Sequence, residues 1–263
     1  MAKYIPLQKY AHFKMGYSMA KDFFFAQKDS VAPITLEEIV HVSTNLPVAF
    51  VRDSSGAFRL VVLLSLVKEK NLLVHPSGKW FSGYIPAHYR SYPFALLRSA
   101  KNENLTLCID TESGLFRENP TQEELRFFTE AGELETVTAS LLQFLEAREK
   151  AMQTTHAIVK RIADAGIITP WKIPFKDENG TEQEVPGIYR IDENRLNSLS
   201  EDEFLKLRNV LSVIYAILMS ENRLSNLAKL HTLHAQMAQK MAPKEEEFDL
   251  DKFFAENNDT LSF

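Results

Sequence analysis

Residues 48–51 and 58–64 are apolar and rich in β-branched side chains, and Asp53-Ser54-Ser55-Gly56 between them supplies turn chemistry. This pattern predicts a β-hairpin. Residues 72–74 and 80–81 flank a second turn at Pro76-Ser77-Gly78. Residues 94–97 and 105–109 flank Lys101-Asn102-Glu103-Asn104, which predicts a third hairpin. Thr35 and Glu38 have the spacing of a capping box, in which each residue satisfies a backbone donor at a helix start. A short helix over 36–43 follows, ending before Pro47.

Near residue 120 the periodicity changes from two to about 3.6. Thr121 and Glu124 repeat the capping-box spacing just after Pro120. Leu141, Leu142, Leu145, Ile158 and Ile162 mark a long helix from Glu135 to about Ala165, with Gly166 as its stop. Residues 171–175 and 184–191 enclose Asp177-Glu178-Asn179-Gly180, another hairpin signal. Ser200 and Glu203 open an amphipathic helix carrying Phe204, Leu207, Leu211, Ile214 and Leu218. Leu224, Leu227 and Leu230 mark a last helix. The fold class predicted is α+β: a β-rich portion (1–120) with hairpins, packed against a mainly helical portion (121–242) that shares one core with it. An acidic tail (243–263) follows.

Composition adds limits. With 263 residues, 45% of them hydrophobic, the chain can bury a substantial core without staples. Of its 30 basic and 35 acidic residues, two and seven lie in the tail, so 28 of each remain and the body is neutral. A neutral body offers no field for phosphates, and nucleic-acid binding is not expected. Cys108 is the single cysteine, so no intramolecular disulfide forms, which suits a reducing compartment. The longest apolar runs, 60–67 and 210–219, fall short of the roughly 20 residues that span a bilayer. Lys21 and Asp22 break the N-terminal aromatic stretch, and no signal peptide with a clean apolar core is present. The sequence thus predicts a cytoplasmic chain without a transmembrane segment, with export to the cell surface by a signal-independent route left open.

The densest candidate chemistry is the aromatic block at 80–94. Arg90 offers a planar donor fork suited to a carboxylate, and the rings of Trp80, Tyr84, Tyr89 and Tyr92 suit stacking on sugars or peptides. Phe94 completes this candidate ligand- or partner-binding set, and the competing reading places the block's rings in the core. Cys108 lies between Leu107 and Ile109 in a predicted strand and reads as a buried, inert thiol. His231 and His234 stand three apart on a helix, but no acidic or cysteine ligand is near in sequence to complete a metal set. No Gly-x-Ser-x-Gly elbow, His-Glu-x-x-His helix, phosphate loop or dinucleotide fingerprint occurs, so no metal and no cofactor are expected. In the tail, Phe253, Phe254 and Phe263 alternate with acids, a pattern suited to a partner's groove.

The block Trp80-Phe-Ser-Gly-Tyr84-Ile-Pro86-Ala-His-Tyr-Arg90-Ser-Tyr92-Pro93-Phe94 resembles that of the bacterial SapC family. Gly16-Tyr17-Ser18, the Pro-Val-Ala-Phe run at 47–50, Leu107-Cys108-Ile109-Asp110 and Gly187-Ile-Tyr-Arg-Ile-Asp192 extend the resemblance over residues 4 to 230. Ser91 stands where many relatives carry a second arginine, leaving Arg90 as the block's only guanidinium. The resemblance implies a link to a bacterial surface layer or its biogenesis, and it carries no catalytic residues. A non-enzymatic interaction protein with a protein partner is therefore expected, with homo-oligomerisation left open. An enzyme or small-ligand-binding protein with a noncontiguous site around the block is one alternative. A cytoplasmic accessory protein that recruits an enzyme through its tail is another.

Overall fold

The computed structural model describes residues 3–81, 83–98, 104–121, 124–176 and 182–241. Strand β1 (Tyr4–Pro6), one turn of helix α1 (Lys9–His12) and strand β2 (Met15–Tyr17) open the chain. Strand β3 (Val31–Pro33) leads to helix α2 (Ile39–Val42), entered through a 3-10 turn at Leu36–Glu38. The Thr35/Glu38 capping box is formed, with the Thr35 backbone N–H donating to the Glu38 carboxylate at 2.8 Å. The first predicted hairpin is β4 (Val48–Arg52) with β5 (Phe58–Leu63). Its turn is held by the Asp53 carboxylate, which accepts from the backbone N–H groups of Ser55 and Ala57. The second closes with a single bridge, Val74 to Trp80. Helix α3 (Ala87–Arg90) then precedes the third, β6 (Phe94–Arg98) with β7 (Leu105–Asp110).

The first departure from expectation comes at Thr121. Its backbone N–H donates to the Glu124 carboxylate at 2.8 Å, as a capping box requires, yet among the described residues no helix begins here. Strands β8 (Phe116–Glu118) and β9 (Leu125–Arg126) instead flank β2 in a small sheet. Pairing of Arg126 with Gly16 fixes this segment, and the approach is close. A Cβ on residue 16 would lie 2.5 Å from the Pro120 side chain and 2.6 Å from the Leu125 carbonyl oxygen, so only glycine fits. Tertiary pairing here overrides a local helix-start signal.

Helix α4 (Thr136–Asp164) is the long helix predicted, and Gly166 stops it with a φ of 69°. Strands β10 (Ile168–Pro170), β11 (Pro174–Lys176), β12 (Glu182–Glu184) and β13 (Tyr189–Ile191) follow. β11 and β12 pair as the fourth hairpin. β13 pairs with both β10 and β4, giving a five-stranded sheet of order β10-β13-β4-β5-β3 that draws strands from both sides of residue 120. Helices α5 (Glu193–Asn197), α6 (Glu201–Leu207), α7 (Leu211–Ser220) and α8 (Leu224–Met241) complete an α+β fold. The single amphipathic helix expected after Ser200 is divided by a 3-10 turn at Arg208–Val210. Leu207 and Val210 are both buried there, and three residues per turn aligns side chains three apart toward one core. Among the described residues no helix is long and apolar enough to cross a membrane.

Two apolar cores result. The larger lies on the five-stranded sheet and takes in α2, α7, Leu227 of α8, and Val159 and Ile162 of α4. The smaller joins Tyr17, Phe94, Leu107, Ile109, Phe127, Phe128 and Leu145. Within it Tyr17 stacks on Phe127 at 5.0 Å and its hydroxyl lies 3.2 Å from Thr138 Oγ1. At 1.5 Å per residue α4 is about 44 Å long, enough to serve both cores with one apolar face. Replacing Leu145 by alanine is expected to lower unfolding free energy by roughly 2–5 kcal/mol in urea titrations. Val137→Ala on the exposed side of the same helix should change it by less than about 0.5 kcal/mol.

Candidate functional site

Gly78, at φ 83° and pressed against Asp22 and Phe24, turns the chain into the aromatic block. The Trp80 indole N–H donates to the Tyr84 carbonyl at 3.0 Å and folds the loop back on itself. Trp80 packs between Phe23 and Tyr89, at 5.3 and 5.5 Å, against the larger core. Tyr89 is buried and its hydroxyl donates to Asp29 at 2.9 Å. Tyr92 stacks on Phe25 at 3.8 Å and donates to the buried Asp110 at 3.3 Å. Phe94 enters the smaller core, edge-on to Tyr17 at 4.8 Å.

The local organiser is Glu38, only 4% exposed. Its Oε2 accepts from the Thr35 backbone N–H at 2.8 Å and the Thr35 hydroxyl at 3.2 Å. Its Oε1 accepts from the Ala87 backbone N–H at 2.7 Å and the Tyr84 hydroxyl at 3.1 Å. Beside it lies a cleft of about 310 Å³ whose lining includes His41, Tyr84, Arg90, Phe144 and Arg148. Arg90 is exposed, and its guanidinium lies over the Tyr84 and Phe144 rings at 5.5 and 5.3 Å. It donates to the Tyr84 hydroxyl at 3.2 Å, and His41 stacks on the Tyr84 ring at 5.1 Å. Arg148 reaches in from α4 and donates from Nη2 to His88 Nδ1 at 3.1 Å, which makes Nδ1 an acceptor and leaves the imidazole neutral. Among the described residues neither guanidinium is ion-paired with a carboxylate.

The electrostatics follow this packing. Burial, and then the Glu38 carboxylate, push the Tyr84 phenol up to about 12, with Arg90 opposing. Burial and Asp110 push Tyr92 up to about 12. Burial and Asp29 raise Tyr89. Protein packed around His88, with the Arg148 guanidinium, pushes its imidazole down to about 4. His88 keeps an exposed surface, so the contact with Arg148 is the firmer of those two causes. Burial lowers Arg148 as well, against the pull of Glu38 and Glu149.

A SapC family model matches residues 7–227. The chain belongs to the SapC family. No curated protein and no solved structure matches it significantly. In this family member the cleft brings together Tyr84 and Arg90 of the sequence-selected residues. Trp80 stands behind them, Tyr92 lies with Phe25 and Asp110, and Phe94 belongs to the smaller core. Phe253, Phe254 and Phe263 lie outside the described residues. Glu38, His41, Phe144 and Arg148 escaped the sequence reading. Glu38 was legible only as half of a capping box, and the other three carry no local signal of convergence. His234 is engaged with the Leu72 carbonyl at 2.9 Å, and no cluster of three metal-ligating side chains exists among the described residues. Cys108 is buried, and burial raises its thiol.

Glu38→Ala strands the Thr35 and Ala87 amides, and should lower stability by roughly 3 kcal/mol in urea melts. The tyrosines make a second prediction. Their folded-state pKa values lie above 10, so the native state holds protons that the unfolded state releases. Stability contributed this way is complete below pH 10 and declines as pH rises toward about 12. Tyrosinate absorbance should show two groups titrating near 12, and Tyr84→Phe should remove one of them.

Proposed function

We propose that this SapC-family chain works by holding a protein partner, without making or breaking bonds, and that Arg90 with Tyr84 forms the centre of the contact. The observation that carries the reading is the division of labour around Glu38. Its carboxylate, the cleft's best candidate for proton chemistry, already accepts four hydrogen bonds from three residues, Thr35, Tyr84 and Ala87. Asp29 and Asp110 are likewise engaged by Tyr89 and Tyr92. Arg90 instead faces solvent on a platform of two rings, with no carboxylate partner of its own among the described residues. Arginine and tyrosine at a pre-ordered surface are the residue types on which interface energy concentrates. A partner's carboxylate suits the planar donor fork. The surface-layer association implied by the family resemblance is the setting we assign to this contact.

Affinity capture of the full-length chain from surface-layer-bearing cells, followed by mass spectrometry, tests the reading. We expect a specific protein partner whose recovery falls about tenfold or more with Arg90→Ala, the loss of one charge-assisted bond. The thermal midpoint should stay unchanged. Recovery independent of Arg90 but lost on deleting 243–263 would move the contact to the tail. Capture of no specific protein would count against the proposal.

A further inference from the structure

Helix α8 carries Leu227 into the larger core, and an adjoining part of its surface borders a second cavity of about 520 Å³. This recess lies between residues 224–232 of α8, residues 66–72 and the segment leading into β11. Its walls are mainly apolar, with Leu66, Trp171, Ile173 and Leu224 prominent, and Ala228 lines it from an exposed position on the helix. An apolar recess of this kind gains stability when apolar side chains cover it.

The residues that follow α8 match the recess in pattern and in reach. Beyond Met241 the sequence passes Pro243, which cannot continue a helix, to Glu247-Phe248-Asp249-Leu250-Asp251. Acidic and apolar residues alternate strictly over these five, so in an extended chain Phe248 and Leu250 share one side and the three carboxylates the other. The recess borders α8 from Leu224 to Thr232. At 1.5 Å per residue these positions lie about 26 and 14 Å back from Met241. A chain that reverses at Pro243 and returns at about 3.3 Å per residue covers those distances in about eight and four residues. It would pass Thr232 at about residue 247 and Leu224 at about residue 251. A simple reversal thus lays the alternating stretch along the recess. Charge plays the lesser part, since α8 carries Lys229 and Lys240 and no acidic residue, but Asp177 and Glu178 follow β11 in sequence.

We propose that the chain's own residues 247–251 dock in this recess, with Phe248 and Leu250 against Trp171 and Leu224 and the carboxylates outward. Tethering favours this occupant over a free ligand, because a short linker holds the segment at an effective concentration of about millimolar. The inference is independent of the Arg90 contact, since the two clefts share no lining residue.

Disulfide trapping in the full-length chain provides the test. Ala228→Cys combined with Leu250→Cys puts one thiol in the recess and one on the docked segment. Cys108 is buried, and burial raises its thiol, so it does not compete. In a glutathione redox buffer the 228–250 disulfide should form within single chains. It should form at least about tenfold more favourably than a control pair of Leu250→Cys with Val137→Cys, an exposed position on α4. Ser225→Cys, at a second exposed position on the recess, should give the same ranking in place of Ala228→Cys. Adding Phe248→Asp should reduce trapping to the control level. Trapping equal to the control, or trapping that Phe248→Asp leaves unchanged, would overturn the proposal. So would disulfides found only between chains, because the occupant would then be a second copy.

Discussion

A carboxylate taken out of water must find donors inside the protein, and at Glu38 that requirement shapes everything nearby. Four donors converge on it from Thr35, Tyr84 and Ala87. Two of them are backbone amides that mark the entry to one helix and the start of another, so one side chain sets the relation between α2 and α3. The third anchor, the Tyr84 hydroxyl, fixes a ring that in turn supports Arg90 and His41. The surface on which the functional reading rests is therefore an extension of a buried hydrogen-bond network, and its geometry is set before any partner arrives.

Features written in local chemistry were legible in the sequence. The Asp53-to-Gly56 turn, the Thr35 and Ser200 capping boxes, and the apolar stripe ending at Gly166 all sit where residue types alone placed them. Expectation failed where distant segments decide the outcome. At Thr121 the capping bonds form, but β2 claims the following residues. After Ser200 the helix yields to a 3-10 turn because the core needs both Leu207 and Val210.

The cleft shows the same division. Tyr84 and Arg90 were visible because they share one dense block. Arg148 and Phe144 were not, since helical periodicity says which residues share a face but not what that face meets. Ser91, the position expected to withhold a second guanidinium from the block, is buried. A second guanidinium reaches the cleft all the same, carried there by α4.

That helix has a mechanical consequence. Leu145 in the smaller core and Arg148 in the cleft stand three apart, less than one turn of helix, while Val159 and Ile162 anchor its far end in the larger core. A rigid rod held at both ends cannot rotate at one without transmitting torque to the other. Any molecule that grips Arg90 and Arg148 together would clamp the rod near its middle. It would slow the independent opening of either half and make the chain unfold more nearly as a single cooperative unit.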